Sequence, residues 1–226
     1  MKGQFWVIEG LDGCGKSTQI DLLKDKLDKR GIRFKYIHFP MLNKGIYGEL
    51  VAEFLRGEFG SVEQVHPKLV ALLFANDRKE HIEMIKGWIA EGYYVLADRY
   101  VYSNIAFQCA KLEKPEEKKK LKEWILDFEF NTNALPKPDK SFFLNVPFSF
   151  IEKSLSQQRE GEDRKYLNGK EDIHEKSLKL QQNVYKEYQA LIREQENICC
   201  IDCFDNENNF LPKEKIHRLI LDQIEE

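Results

Sequence analysis

A chain of 226 residues holds one α/β domain with a full core, and is short for two. Its 42% apolar share is ordinary for a globular fold, and a formal charge of −3 gives no basic field for nucleic acid or an anionic membrane. No apolar run approaches the roughly 18–20 residues that cross a bilayer. The first residues lack the apolar stretch and small-residue cleavage site of a secretory leader. Five cysteines form no disulfide framework, and the adjacent pair in Cys199-Cys200-Ile201-Asp202-Cys203 reads as buried strand rather than as convergent metal ligands. The expected compartment is a reducing cytoplasm.

Strand and helix patterns alternate throughout. Phe5 to Glu9 reads as a first strand, buried on both faces. Lys16 to Lys29 follows as a helix with Ile20, Leu23 and Leu27 on one side, closed by Gly31. Phe34 to Phe39 is a second strand, stopped by Pro40, and Ile46 to Leu55 a short helix. Leu69, Leu73, Ile82, Ile85 and Ile89 keep a helical period that predicts one long helix from Lys68 to Ala90. Tyr93 to Ala97 is the third strand and Ser103 to Leu112 a helix. Glu113 to Lys122, mostly lysine and glutamate, reads as a solvated helix surface. The stiff connector Leu135-Pro136-Lys137-Pro138-Asp139 leads into a fourth strand, Ser141 to Val146. A helix from Phe148 to Gln158 and a polar loop from Arg159 to Lys170 come next. Ile173, Leu180, Val184, Tyr188 and Leu191 mark a long amphipathic helix. Ile198 to Ile201 is the fifth strand, and a helix from Lys213 to Ile224 closes the chain. Five apolar strands separated by helices predict a parallel sheet covered on both faces, within a single domain over residues 1–226.

The segment Gly10-Leu11-Asp12-Gly13-Cys14-Gly15-Lys16-Ser17-Thr18 lies between the first strand and the first helix and fits G-x-x-x-x-G-K-[ST]. The spacing has a physical basis. Glycines let successive N–H groups turn inward as a concave anion nest. The helix behind aims its positive end at the same oxygens. Lys16 carries a cation toward the outer phosphates of a nucleoside triphosphate, and the Ser17 hydroxyl is placed to ligate Mg²⁺.

In a parallel sheet ligands gather at the carboxyl ends of the strands, where this loop, Phe39-Pro40 and Asp98-Arg99 all fall. A carboxylate at Asp98 faces Ser17 across that rim and can hold Mg²⁺ through its water shell. Arg99 can clamp phosphate oxygens bidentately.

Taken together, the phosphate loop, Phe39-Pro40, Leu73-Phe74-Ala75-Asn76-Asp77-Arg78, Asp98-Arg99-Tyr100-Val101-Tyr102-Ser103-Asn104-Ile105-Ala106-Phe107-Gln108 and Leu135 to Asp139 resemble the thymidylate kinases, in that family's order and over nearly the whole chain. The resemblance implies a P-loop NTPase fold with a lid at about residues 157–170. It also implies transfer of the γ-phosphoryl group of ATP to dTMP with Mg²⁺, and a homodimer built through helices, with the helix starting near Leu69 as a candidate surface. No nucleic acid or membrane partner is expected. By matching motif, Phe74 stacks on the thymine ring, Arg78 contacts the base or bound nucleotide, and Arg99 grips the acceptor phosphate. Ser103 and Gln108 line the base pocket, Phe39 and Pro40 border it, and Phe107 presses on the sugar. Asp12 lies near the acceptor sugar and phosphate.

Family members that lack an arginine in the loop, where this chain has Gly13, supply it from the lid. Arg159 is the first choice for that cation and Arg164 the second. Many relatives carry an arginine after Phe-Pro that reaches the acceptor phosphate. Here Lys44 stands nearby instead, without a bidentate fork. Each assignment has a plainer alternative: a core aromatic for Phe74, a surface ion pair for Arg78, helix-surface polarity for Ser103 and Gln108, solvated loop arginines for 159 and 164. Another nucleoside or nucleoside monophosphate kinase, or a nucleotide-dependent switch, is the competing function.

Overall fold

The computed structural model describes residues 2–42, 44–156, 166–167 and 172–225. Five strands form one all-parallel sheet: β1 (Gln4–Glu9), β2 (Phe34–His38), β3 (Tyr94–Asp98), β4 (Lys140–Asn145) and β5 (Ile198–Asp202), in spatial order β2-β3-β1-β4-β5. The three central strands are buried at almost every position, whereas β2 and β5 carry exposed residues, as edge strands do. This explains why the inner strands read as unbroken apolar runs. Register brings Ile8, Asp98 and His38 side by side, so the carboxyl ends of three strands share one rim.

Helices cover both faces. They are α1 (Lys16–Lys29), α2 (Gly45–Leu55), α3 (Pro67–Glu80), α4 (Ile82–Ala90), α5 (Val101–Cys109), α6 (Pro115–Leu126), α7 (Phe148–Ser156), α8 (Ile173–Lys176), α9 (Leu178–Glu194) and α10 (Lys213–Glu225). Two helices expected to be continuous are each broken once. The span from Lys68 to Ala90 divides at His81, whose backbone leaves helical geometry (φ −110°, ψ 5°). The break serves packing, since α3 lies on α2 and α5 while α4 lies on β3, and one straight rod cannot meet both. The span from Ile173 to Leu191 divides at Ser177, whose Oγ accepts from the Leu180 N–H at 3.2 Å and starts α9 afresh.

The charge-rich stretch is the start of α6. Leu121 and Ile125 face inward, and Lys118 and Lys122 reach Glu187 and Glu194 on α9. After α6 the chain widens into a π turn, Asp127–Thr132. Such a turn shifts the side-chain phase, and here Glu129 is fully buried. The proline-rich connector is a fixed strap: Asp139 Oδ2 accepts from the Phe5 N–H at 2.7 Å, and Tyr100 OH donates to the Pro136 carbonyl at 3.1 Å.

Candidate active site

One cavity of about 760 Å³ runs along the rim from the phosphate loop to a cluster of aromatic side chains on α3, α5 and α8. At the loop end the backbone is specialised. Gly10 has φ +151° and a Cβ there would meet Cys14 Sγ at 2.6 Å; Gly15 has φ +92° with open space around it, so conformation alone demands glycine there. Asp12, Gly13, Gly15, Lys16 and Ser17 line the cavity. Leu11 and Cys14 are buried behind the loop, and Thr18 is exposed on α1. Lys16 Nζ donates to the Leu11 carbonyl at 2.9 Å, so the cation is folded onto the loop it serves.

Arg99 follows β3 with a left-handed backbone (φ 64°), which throws its side chain back across the loop. Its Nη1 donates to the Gly10 carbonyl at 2.8 Å and to Ser103 Oγ at 3.2 Å, and its Nη2 donates to Asp12 Oδ1 at 2.6 Å. Burial works against the charge, but the acidic groups around it, Asp12 foremost, push its pKa further up. Asp12 Oδ2 accepts from Gln181 Nε2 on α9 at 3.0 Å, so both carboxylate oxygens are held. Beneath them Glu9 is fully buried. Glu9 accepts from Ser103 Oγ at 2.5 Å, Tyr188 OH at 2.9 Å and the Tyr100 N–H at 3.0 Å. Burial raises its pKa against those bonds. Ser103 lines the cavity with its hydroxyl committed to Glu9.

Asp98 is 5% exposed, with Oδ2 3.4 Å from His38 Nδ1. Burial would raise its pKa, but His38, Lys16 and Arg99 together hold it below the usual carboxylate value. Its Oδ1 is buried with no partner while Ser17 lines the same cavity. An ionised carboxylate with an orphaned oxygen, in a cavity that a serine also lines, suits a hard divalent cation.

At the far end Phe74 and Phe107 flank the imidazole of His174, at 6.3 and 5.1 Å between ring centroids. Burial, and Lys111 next, drive the His174 pKa well below 6.5, so its ring is neutral. Phe39 and Pro40, joined by a cis peptide bond, line the cavity with Arg78 and Gln108. Gln108 Oε1 accepts from Lys111 Nζ at 2.8 Å. Burial pushes the Lys111 pKa down to about 7. Arg78 makes a buried ion pair, not a surface one: Nε and Nη2 donate to the Glu129 carboxylate at 2.5 and 2.7 Å. Leu42, rather than Lys44, lines the cavity after Phe39-Pro40, while Lys44 stands at the N-cap position of α2 with no side-chain cap bond. Arg159 and Arg164 lie outside the described residues. Tyr166 donates from its OH to Asp172 Oδ2 at 2.6 Å, and its carbonyl accepts from Arg56 Nη1 at 2.9 Å.

The structure therefore brings the anion nest, Lys16, Asp98, Arg99, Phe74, Arg78, Phe107 and Gln108 to one cavity. Sequence reasoning passed over Asn104, Glu129, His174 and Gln181. Asn104 lies inside a motif already in view without a role assigned to it; Gln181 reaches Asp12 across 169 residues and Glu129 reaches Arg78 across 51, with no local signal.

The family model for thymidylate kinase matches residues 8–212. The chain belongs to the thymidylate kinase family. It is 34% identical to the thymidylate kinase of Plasmodium falciparum over 194 residues, covering 85% of this chain and 79% of that one. It is 31% identical to the Mycobacterium tuberculosis thymidylate kinase over 185 residues, covering 81% and 83%. Among solved structures it resembles the thymidylate kinase of Candida albicans, with a TM-score of 0.73 at 26% identity over 99% of this chain and 92% of that one. As a thymidylate kinase the protein is an ATP-dependent nucleoside monophosphate kinase that phosphorylates dTMP, and neither another acceptor class nor a switch is favoured.

Proposed function

We propose that dTMP and the triphosphate tail of ATP lie end to end in the rim cavity, with the γ-phosphoryl group passing between them beside Lys16 and Arg99. The observation that carries this is the continuity of the cavity from the phosphate loop to Phe74 and Phe107. Phosphoryl transfer asks a protein mainly for alignment and charge neutralisation. The loop N–H groups and Lys16 hold the donor phosphates. Arg99, already charged and pinned between Asp12 and the Gly10 carbonyl, turns toward the acceptor phosphate. Asp12 fixes that guanidinium. Phe74 stacks on the base, Phe107 meets the sugar, and Ser103, Gln108, Phe39 and Pro40 complete the acceptor wall.

Ser17 and Asp98 would hold Mg²⁺, supported by the orphaned Asp98 Oδ1. When bound, that ion neutralises charge on the phosphate oxygens. The last cation comes from Arg159 or, failing that, Arg164, on the family resemblance. Self-association through the face carrying Leu69, which is 59% exposed, and a cytoplasmic location belong to the same reading. No helix among the described residues is long and apolar enough to cross a membrane.

An acceptor panel with ATP and Mg²⁺ tests the function. We expect dTDP from dTMP, and little product from uridine or cytidine monophosphate. Turnover of those two at least as fast as dTMP contradicts the assignment.

A further inference from the structure

The connector between β5 and α10, residues 203–212, is a closed loop bonded to the end of the sheet. Its root continues the strand pairing: the Cys203 N–H donates to the Asn145 carbonyl at 2.9 Å, and the Leu211 N–H returns to the Cys203 carbonyl at 2.8 Å. Phe204 and Phe210 form an antiparallel bridge across it. At the tip, Asp205 Oδ1 accepts from the Glu207 and Asn209 N–H groups, both at 2.9 Å, and Asn208 takes a left-handed backbone (φ 62°).

This loop presents an aromatic ring to α7. Phe210 is 37% exposed, yet it lies face to face with Phe150, 4.3 Å between centroids and 8° between planes. Four residues on, along the same side of α7, Ser154 lines the rim cavity with its Oγ 3.5 Å from the Gly13 carbonyl of the phosphate loop. That contact is too long to fix the helix by itself. Ile151, with Phe148 and Leu155, seats α7 on the core, and the Phe210 ring holds it from the connector. The connector has a second hold near the phosphate loop. Directly after it, the Lys213 carbonyl accepts at 3.0 Å from Gln19 Nε2, in the first turn of the helix that begins at Lys16.

We propose that Phe210 is a positioning residue for the donor nucleotide: through Phe150 it sets the pose of α7, and so the wall that α7 gives the phosphate loop. This rests on the reading that the loop end of the cavity holds the triphosphate tail. The strand order gives the direction of the effect. The connector and α7 follow β5 and β4, on one side of β1, whereas Phe39 and Arg99 follow β2 and β3 on the other. A loosened α7 therefore disturbs the donor end and spares the acceptor end.

Phe210→Ala removes the ring and leaves the Asp205 turn intact. We expect the Kd for ADP, measured by calorimetry without acceptor, and the KM for ATP to rise together by about threefold to tenfold, the scale of one lost aromatic pair. The KM for dTMP should stay within about twofold of wild type, and Phe210→Tyr, which keeps the flat ring, should restore both donor constants. A ring that served folding alone would lower Tm and leave those constants unmoved. A folded Phe210→Ala enzyme with the wild-type Kd for ADP therefore overturns the proposal, as does an equal rise in the KM for dTMP. Should that variant fail to fold, Phe210→Leu keeps apolar bulk without the stacked plane. A rise of about twofold or more in the Kd for ADP is then expected, and an unchanged Kd overturns the proposal equally. A wild-type protein that binds no ADP would instead defeat the underlying reading of the loop end.

Discussion

At the scale of single residues, the site is a set of charges held ready by neighbours rather than by solvent. Lys16 rests on a loop carbonyl and Arg99 on Asp12. Replacing Lys16 with alanine removes the cation proposed above to hold the donor phosphates, so kcat is expected to fall by about 100-fold or more in a coupled ADP-release assay. Arg159→Ala lowers kcat more than substrate affinity if it supplies the transferring cation. Full kcat there with loss in Arg164→Ala moves the role to Arg164, and full activity in both discards a lid cation. Asp77 gives a pH signature of stability. Burial raises its pKa from 3.8 to about 6, despite bonds from the Met41 N–H. A carboxyl with a raised folded pKa binds protons more readily in the native state. It therefore stabilises the fold progressively as pH falls from about 6 toward 4, and that contribution is lost as pH rises through 6. Asp77→Asn should remove this dependence: the Tm of wild type relative to the variant rises between pH 7 and pH 4.5.

At the scale of elements, the sequence was most legible where one face decides everything. The two-sided burial of β1, β3 and β4 and the single stripe of α1 follow from the apolar pattern alone, and the phosphate loop from its glycines. The breaks at His81 and Ser177 were not legible, because periodicity continues across both and only the neighbours of α3, α4 and α9 require the turn. The π turn falls after the charge-rich stretch that ends at Lys122, in residues to which the sequence pattern assigns no element, and the burial of Glu129 there depends on Arg78, 51 residues away. Two stability measurements follow. Ser177→Ala removes the N-cap of α9 and costs about 1 kcal/mol by denaturant titration. Glu129→Ala strands a guanidinium that is 2% exposed, and costs about 3–5 kcal/mol in the same titration. Equal small losses in both would mean that the buried pair is not what holds α3 to the π turn.

At the scale of the whole molecule, the fold places two chemically distinct ends on one strand edge. The loop end carries Lys16 and Arg99 beside the carboxylates of Asp12 and Asp98. The far end is aromatic, with a neutral His174 and a compensated Arg78. Strand order alone decides this, because β3 lies between β1 and β2 and carries Asp98 and Arg99 to the seam between the two ends. Of the cavity's far end, Phe74, Phe107 and Arg78 were legible from their motifs. His174 and the buried Glu129 were not, since each meets its neighbours only through the fold. The central claim, two nucleotides meeting head to head across that seam, is tested most directly by calorimetry with an adenosine and a thymidine joined through a chain of phosphates. The account predicts one site per chain, binding tighter than either nucleotide alone, and displacement by both ATP and dTMP. Displacement by only one of them, or two independent binding events per chain, would contradict it.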